Sequence, residues 1–296
     1  MKNHLLCLLA LTGSLQAAEL VSSQIPASAK WVLHLDMDAM RGSMTGIAVL
    51  AKIQADHGAK LQAFKRISSV HLVNDLQGIT LFGDGKPEHA VALVHGKFDQ
   101  AHMVDVVKAS DDYSEETHAG FTIHSWKDKK ASQNAAFAND NLLVFSRQED
   151  ALKQELDTLK ANTPATADPV FTANGGKPII AATANLAKIE LPADASKILR
   201  LASVLRLAAG ESNGRFSIHM GAESADPKHA NRLRRMLDGI LALAEAGNPK
   251  LGEADFQSEV VATQDKPGVN VALSLPVPTW LGILNDAAEK KKKDAR

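Results

Sequence analysis

Two segments of the sequence share one pattern, HAVALVHGKFDQAH at residues 89–102 and FSIHMGAESADPKH at residues 216–229. A gapless alignment at an offset of 127 residues places Asp99 on Asp226. Each segment alternates apolar and polar residues and then changes to a helical pattern, which is typical of a strand that leads into a helix. An aspartate at that junction is a good N-cap, because its carboxylate accepts hydrogen bonds from the free amides of the first turn. The sequence therefore predicts an α+β module that is present in two copies.

Two further pairs of segments support the duplication. KWVLHLDMDAM at residues 30–40 resembles KPIIAATANLA at residues 177–187. NLLVFSRQEDALKQELDTL at residues 141–159 corresponds to NVALSLPVPTWLGILNDAA at residues 270–288. Each degenerate copy is predicted to run β-α-β-β-α-β-β-α, with mainly antiparallel sheets and helices packed on one face. We expect the two copies to form a pseudo-symmetric pair of sheets with a groove between them, a usual place for a ligand or partner.

The same patterns divide the chain into five segments. They are a signal peptide at 1–18, a first α+β copy at 19–161, a linker at 162–177, a second α+β copy at 178–288 and a basic tail at 289–296. The linker is predicted from its prolines and glycines. The tail, EKKKKDAR, is expected to be frayed and solvated.

The N-terminus has the pattern of a cleaved signal peptide. Lys2 supplies the positive charge, Leu5–Leu11 form the apolar region, and Ala17 and Ala18 are small residues suited to cleavage. An apolar run of this length is too short to cross a bilayer, which takes about 20 residues. We therefore expect a periplasmic or secreted protein with no transmembrane segment. The chain has one cysteine, Cys7, which lies in the predicted signal peptide. We therefore expect that the mature protein forms no disulfide bond with a partner.

The composition excludes several classes of protein. Lys and Arg number 33 against 34 Asp and Glu, so the basic excess of a nucleic-acid binder is missing. Aromatic residues make up only 4%, which argues against a binding surface built on ring stacking. The sequence also has no G-x-S-x-G, H-E-x-x-H or phosphate-loop motif. No catalytic residue and no cofactor can be assigned from these patterns.

The sharpest cluster of chemically active side chains is His34, Asp36 and Asp38 in WVLHLDMD. Alternate side chains of a strand share a face, so the three would lie on one side of the strand, with about 7 Å between successive members. An imidazole and two carboxylates could bind a divalent metal or perform acid–base catalysis. The alternative is the solvent-exposed face of a half-buried strand, which we favour. The second copy has Ala181, Thr183 and Asn185 at these places.

Other histidines are expected to be structural. His57 lies on an apolar stripe and is predicted to mark a helix break or a satisfied core position. His102 and His229 lie in matching first helical turns, where a role at the cap is expected. His124 and Trp126 share a strand face and form either a ligand patch or a packed cross-strand pair, of which we favour the second.

The opening IPASAKWVLHLD, the GITLFG strand and the duplicated unit resemble a loose group of uncharacterised exported bacterial proteins. The resemblance implies an envelope or secreted location and an α+β fold, and it implies no activity. The function that we predict is non-catalytic binding or scaffolding in the bacterial envelope, with a protein partner. The alternative is a metal-dependent hydrolase that uses His34, Asp36 and Asp38.

Overall fold

A computed structural model of the chain describes residues 20–86, 88–162, 178–191, 199–253, 255–263 and 266–294. The predicted signal peptide and nearly all of the predicted linker lie outside these residues. The described strands are β1 (Trp31–Asp36), β2 (Leu76–Gly83), β3 (Val91–Gly96), β4 (Ser114–His118), β5 (Phe121–Asp128), β6 (Ala131–Asn139), β7 (Leu142–Ser146), β8 (Ile180–Asn185), β9 (Val204–Ser212), β10 (Arg215–Glu223), β11 (Gln257–Ala262) and β12 (Gly268–Pro276).

The described helices lie between and after these strands. They are α1 (Met37–Arg41), α2 (Met44–Ser68), α3 (Gln100–Lys108), α4 (Glu149–Ala161), α5 (Pro227–Gly247), α6 (Pro249–Glu253) and α7 (Val277–Asp294). Short 3-10 turns occur at Ser22–Gln24, Leu186–Lys188 and Leu199–Leu201. In the part of the chain that the structure describes, no helix is both long enough and apolar enough to cross a membrane.

The strands form one antiparallel sheet of 12 strands in the order β11-β12-β10-β9-β8-β1-β2-β3-β7-β6-β5-β4. The α+β class and the antiparallel pairing are therefore as predicted. β1 pairs directly with β8, with His34 opposite Ala181. The expected pair of separate sheets is wrong, because this central pairing joins the two halves edge to edge. The sequence did not indicate that β1 and β8 each leave one edge free to pair with the other.

Helices cover both faces of the first half of the sheet. On one face, Leu152 and Leu156 of α4 pack with Val32, Leu93 and Val144. On the opposite face, Leu50 of α2 and Met103 of α3 pack with apolar residues of the sheet that include Leu35, Ile79 and Val94. The prediction that helices pack on one face is wrong for this half, because both α4 and the α2–α3 pair carry an apolar stripe.

The predicted strand-to-helix junctions are confirmed. Asp99 caps α3, since its Oδ1 accepts from the backbone N of His102 at 3.1 Å. Asp226 caps α5 in the same way, with 2.9 Å to the backbone N of His229. A polar first turn and a free amide are local features, so the sequence alone was sufficient to place both caps.

Two local expectations for the helices are wrong. His57 is exposed and lies within the unbroken α2, in a run of exposed residues at 51–57. α7 continues to Asp294, so the lysines expected in a frayed tail belong to its last turns.

Candidate functional site

The group His34, Asp36 and Asp38 is not an exposed row of ligands. β1 ends at Asp36, and Asp38 lies in α1. His34 and Asp36 are each only 3% exposed. The predicted solvent-exposed face is therefore wrong, because the face of β1 that carries Val32, His34 and Asp36 is the buried one, whereas Leu33 on the other face is 37% exposed. Val32 belongs to the apolar core under α4, so this helix covers the face that was expected to lie in water.

Each of the three side chains has a partner that serves the fold. Nδ1 of His34 lies 2.9 Å from Oγ1 of Thr80 on the neighbouring strand. Asp36 caps α1 by accepting from the backbone N of Ala39 at 2.8 Å, and burial raises the pKa of its carboxyl group. Asp38 forms an ion pair with Arg41. Among the described residues, no three His, Cys, Asp or Glu side chains are grouped so that they could hold a metal ion.

A second feature is an apolar cleft of about 280 Å³ between α2, α3 and the sheet. Its lining side chains come from the C-terminal end of α2, one side of α3 and the facing strands β5, β6 and β7. They are Phe64, Ile67, Ser68, Met103, Val104, Val106, Val107, His124, Trp126, Ala135, Phe137, Leu143 and Phe145. This volume is just below the range of about 300–1,000 Å³ for small-molecule sites.

The strand register explains the floor of the cleft. His124, Ala135 and Phe145 lie opposite one another on β5, β6 and β7, so their side chains point to the same face. Ala135 is the middle member of this row, and its methyl group leaves a gap between the two larger rings. Trp126 is two residues after His124 on the same face, and its ring centroid is 6.4 Å from that of Phe145.

The roof of the cleft is fixed by a contact between two helix ends. Nε2 of His102, in the first turn of α3, lies 2.8 Å from the backbone O of Ile67 at the end of α2. His102 therefore has the structural role that its position in the first turn predicted. On the open side, Phe64 is 42% and Ile67 is 60% exposed. Large apolar side chains at such exposure gain free energy when another apolar group covers them.

One end of the cleft carries a hydrogen-bonded polar chain. The hydroxyl group of Tyr113 lies 2.6 Å from Oε2 of Glu115 and 2.8 Å from Nδ1 of His124. Nζ of Lys108 lies 3.3 Å from the same Glu115 oxygen. Burial and the bond to Glu115 raise the pKa of Tyr113 to about 12. Burial lowers the pKa of His124, so its imidazole is neutral at neutral pH.

The sequence located part of this cleft. The shared face of His124 and Trp126 is confirmed, and it lines the cleft instead of being fully packed. The contributions of Phe64 and Ile67 were missed, because α2 meets α3 only through tertiary packing. The spacing of Met103, Val104 and Val107 on α3 was the available signal, since residues three and four apart share one helix face.

Comparisons with known proteins bear on the fold. No family model matches the chain, and no curated protein matches it. Among solved structures, crystal form III of TP0453 is similar, with a TM-score of 0.52 at 9% identity over 92% of this chain and 100% of that chain. Crystal form IV of TP0453 has a TM-score of 0.51 at 10% identity over 92% of this chain and 99% of that one. At such low identity the likeness shows the fold alone.

Proposed function

We propose that this protein is a non-catalytic, exported binding protein of the bacterial envelope, and that the cleft holds a small apolar ligand. The observation that carries the proposal is the lining of the cleft, in which ten of the thirteen side chains are hydrocarbon or thioether groups. A concave apolar site with a few polar groups is the usual form of a small-molecule binding site. Its volume of about 280 Å³ suits a small molecule better than a peptide helix, whose diameter alone is about 10 Å.

The exposed rim supports the same function. Phe64 and Ile67 extend the apolar surface from the cleft towards solvent. Each gains about 1–2 kcal/mol on full burial, which favours an occupied cleft over an open one. A ligand in the cleft would cover both side chains and the floor at Ala135.

Titration with the fluorescent apolar probe Nile red tests the proposal. Wild-type protein is expected to bind the probe at one site. Ala135→Phe places a ring in the gap between His124 and Phe145 and is expected to abolish that binding. Ala101→Phe is the matched control, because Ala101 lies exposed on α3 outside the cleft and the change adds the same ring. Equal binding by wild type and both variants would refute the site.

We also propose that the two halves of the sheet descend from a duplicated α+β module, with boundaries near residues 19–161 and 178–288. The strand order supports this: β1-β2-β3-β7-β6 runs outward from one central strand, and β8-β9-β10-β12-β11 runs outward from the other. The hairpin of β4 and β5 extends the first half only. The apolar cleft lies within the first half and is lined in part by β5 of this hairpin.

Export and a protein partner remain predictions from the sequence. Cleavage after the first 18 residues would leave Leu20 near the new N-terminus, next to the apolar cluster under α4. A pull-down from an envelope extract tests for the partner.

A further inference from the structure

The accessible surface inside the cleft is almost wholly apolar. Two polar side chains of its lining are hydrogen-bonded within the protein. The hydroxyl group of Ser68 donates to the backbone O of Phe64 at 2.9 Å and accepts from the backbone N of Val70 at 3.2 Å. Nδ1 of His124 lies 2.8 Å from the hydroxyl group of Tyr113. A polar group of a ligand would therefore lose its water inside the cleft without gaining a hydrogen bond, which is unfavourable.

The floor of the cleft has a closed end above Ala135. His124 on β5 and Phe145 on β7 lie on either side of this residue in the strand register. Phe137 comes two residues after Ala135 on the same face of β6, and its ring packs against that of Phe98 with 5.8 Å between the centroids. Rings therefore border the methyl group of Ala135 both across the strands and along β6. The sheet closes the cleft here.

The opposite side of the cleft opens to water at the end of α2. Phe64 and Ile67 border this opening and are 42% and 60% exposed. Lys60 is also exposed, and it lies one turn before Phe64 on the same face of the helix. A polar group at this opening keeps its hydration, whereas a hydrocarbon that extends inwards from it is covered.

The size of the cleft limits how much hydrocarbon it can cover. An apolar cavity of about 150 Å³ holds benzene, which has six carbon atoms. By proportion, the volume of about 280 Å³ holds roughly ten carbon atoms. Because the cleft is closed at Ala135 and open at Phe64, this amount corresponds to one hydrocarbon chain that enters end-on.

We propose that the cleft takes the hydrocarbon chain of a single-chain amphiphile to a depth of about ten carbon atoms, and that the polar head group stays in water beside Phe64 and Ile67. The inference rests on the proposed function, because it names the ligand class of the same site. It makes Ala135 the residue that determines chain length. The head group is not selected, since it lies outside the lining.

Calorimetric titration with hexyl, octyl, decyl, dodecyl and tetradecyl maltoside, each below its critical micelle concentration, measures the depth of the cleft. Each methylene group that enters the cleft should raise the affinity about fourfold, so decyl maltoside should bind about fifteenfold more tightly than octyl maltoside. Tetradecyl maltoside should gain less than about twofold over dodecyl maltoside, because the added groups stay outside. An equal gain along the whole series, or no gain from octyl to decyl, would overturn the inference.

Ala135→Leu tests the role of Ala135 directly. The change adds three carbon atoms at the closed end, so the chain should stop about three carbon atoms earlier. The gain from octyl to decyl maltoside should fall from about fifteenfold to less than about twofold, while hexyl maltoside binds as it does to wild type. Ala101→Leu is the matched control, because Ala101 is exposed on α3 outside the cleft. Wild-type affinities for the whole series in Ala135→Leu would overturn the inference.

Decyl glucoside tests the position of the head group, since it differs from decyl maltoside by one sugar. The two compounds should bind within about twofold of each other, because both head groups remain in water. A difference of more than about tenfold would mean that the head group enters the cleft, and it would overturn the inference.

The outcomes separate the two proposals. Nile red binding by wild-type protein, combined with affinities that do not depend on chain length as expected, would refute the inference and leave the apolar site in place. Failure of wild-type protein to bind Nile red and every alkyl maltoside would refute the proposed function itself. Circular dichroism of each variant establishes that it is folded.

Discussion

Glu155 on α4 gives a prediction about stability that is independent of any ligand. Its side chain is fully buried among the apolar residues under the helix, and neither carboxyl oxygen has a hydrogen-bond partner among the described residues. Burial raises the pKa of this carboxyl group from 4.5 to about 9. Glu155 is therefore protonated in the folded protein at neutral pH and ionised in the unfolded chain.

The sign of the pH dependence follows from the two states. Between pH 4.5 and about 9, the folded chain holds a proton that the unfolded chain has released. The free energy of unfolding therefore falls by about 1.4 kcal/mol for each unit that the pH rises in this window. At pH 7 the accumulated loss is about 3 kcal/mol compared with acidic solution below the unfolded pKa.

Glu155→Gln removes this loss, because glutamine is neutral in both states. We expect the variant to be about 3 kcal/mol more stable than wild type at pH 7. Urea denaturation at about pH 7 and about pH 8.5 measures it, and wild type should lose about 2 kcal/mol across that interval through this group alone. Burial lowers the pKa of both His95 and His124, so these two imidazoles stay neutral in the folded protein across that interval.

Asp150→Asn is the control for this experiment. It makes the same change from carboxyl to amide at an exposed position of α4, and it should leave the pH dependence as in wild type. A Glu155→Gln variant with wild-type stability at both pH values would contradict a neutral, buried Glu155 in the folded protein. That result would mean that the carboxylate is ionised and paired in the folded protein.

Three further predictions address the caps, the signal peptide and the acidic cluster. Asp99→Ala and Asp226→Ala should each lower the free energy of unfolding by about 1 kcal/mol, as measured by chemical denaturation, and no loss at either site would contradict the capping geometry. Intact mass of protein from the native host should lack residues 1–18, whereas a mass that includes Cys7 would contradict export with cleavage. Calorimetric titration with zinc, manganese and calcium should show no binding tighter than about 100 μM. Micromolar binding that Asp36→Ala removes would restore the hydrolase hypothesis.

The sequence was informative where the deciding interactions are local. The N-caps Asp99 and Asp226, and the strands that precede them, depend on side chains within a few residues of one another. Ser146 and Glu149 have the spacing of a capping box in the sequence, but α4 begins after Gln148 and no side chain caps it. Ser146 is still in β7, where its hydroxyl donates to the backbone O of Ala90 at 3.0 Å.

Features set by tertiary contacts could not be predicted from the sequence. The burial of His34 depends on elements that are distant in the chain and cover its face of the sheet: Val32 on the same face packs with Leu152 and Leu156 of α4. β4 was missed because its SEETH sequence has no apolar alternation, and it is held as an edge strand by β5. Glu155 did leave a signal, since it lies three residues after Leu152 and beside Leu156 on the stripe that faces the sheet.

Mass spectrometry of the molecules that the purified protein carries tests whether the cleft around Ala135 holds a small apolar molecule. Wild-type protein and Ala135→Phe would be purified in parallel from the native host without detergent, and their organic extracts compared. We expect a hydrocarbon compound, near one per chain, in the wild-type extract and its loss in the variant. The same compounds in equal amounts in both extracts would contradict it.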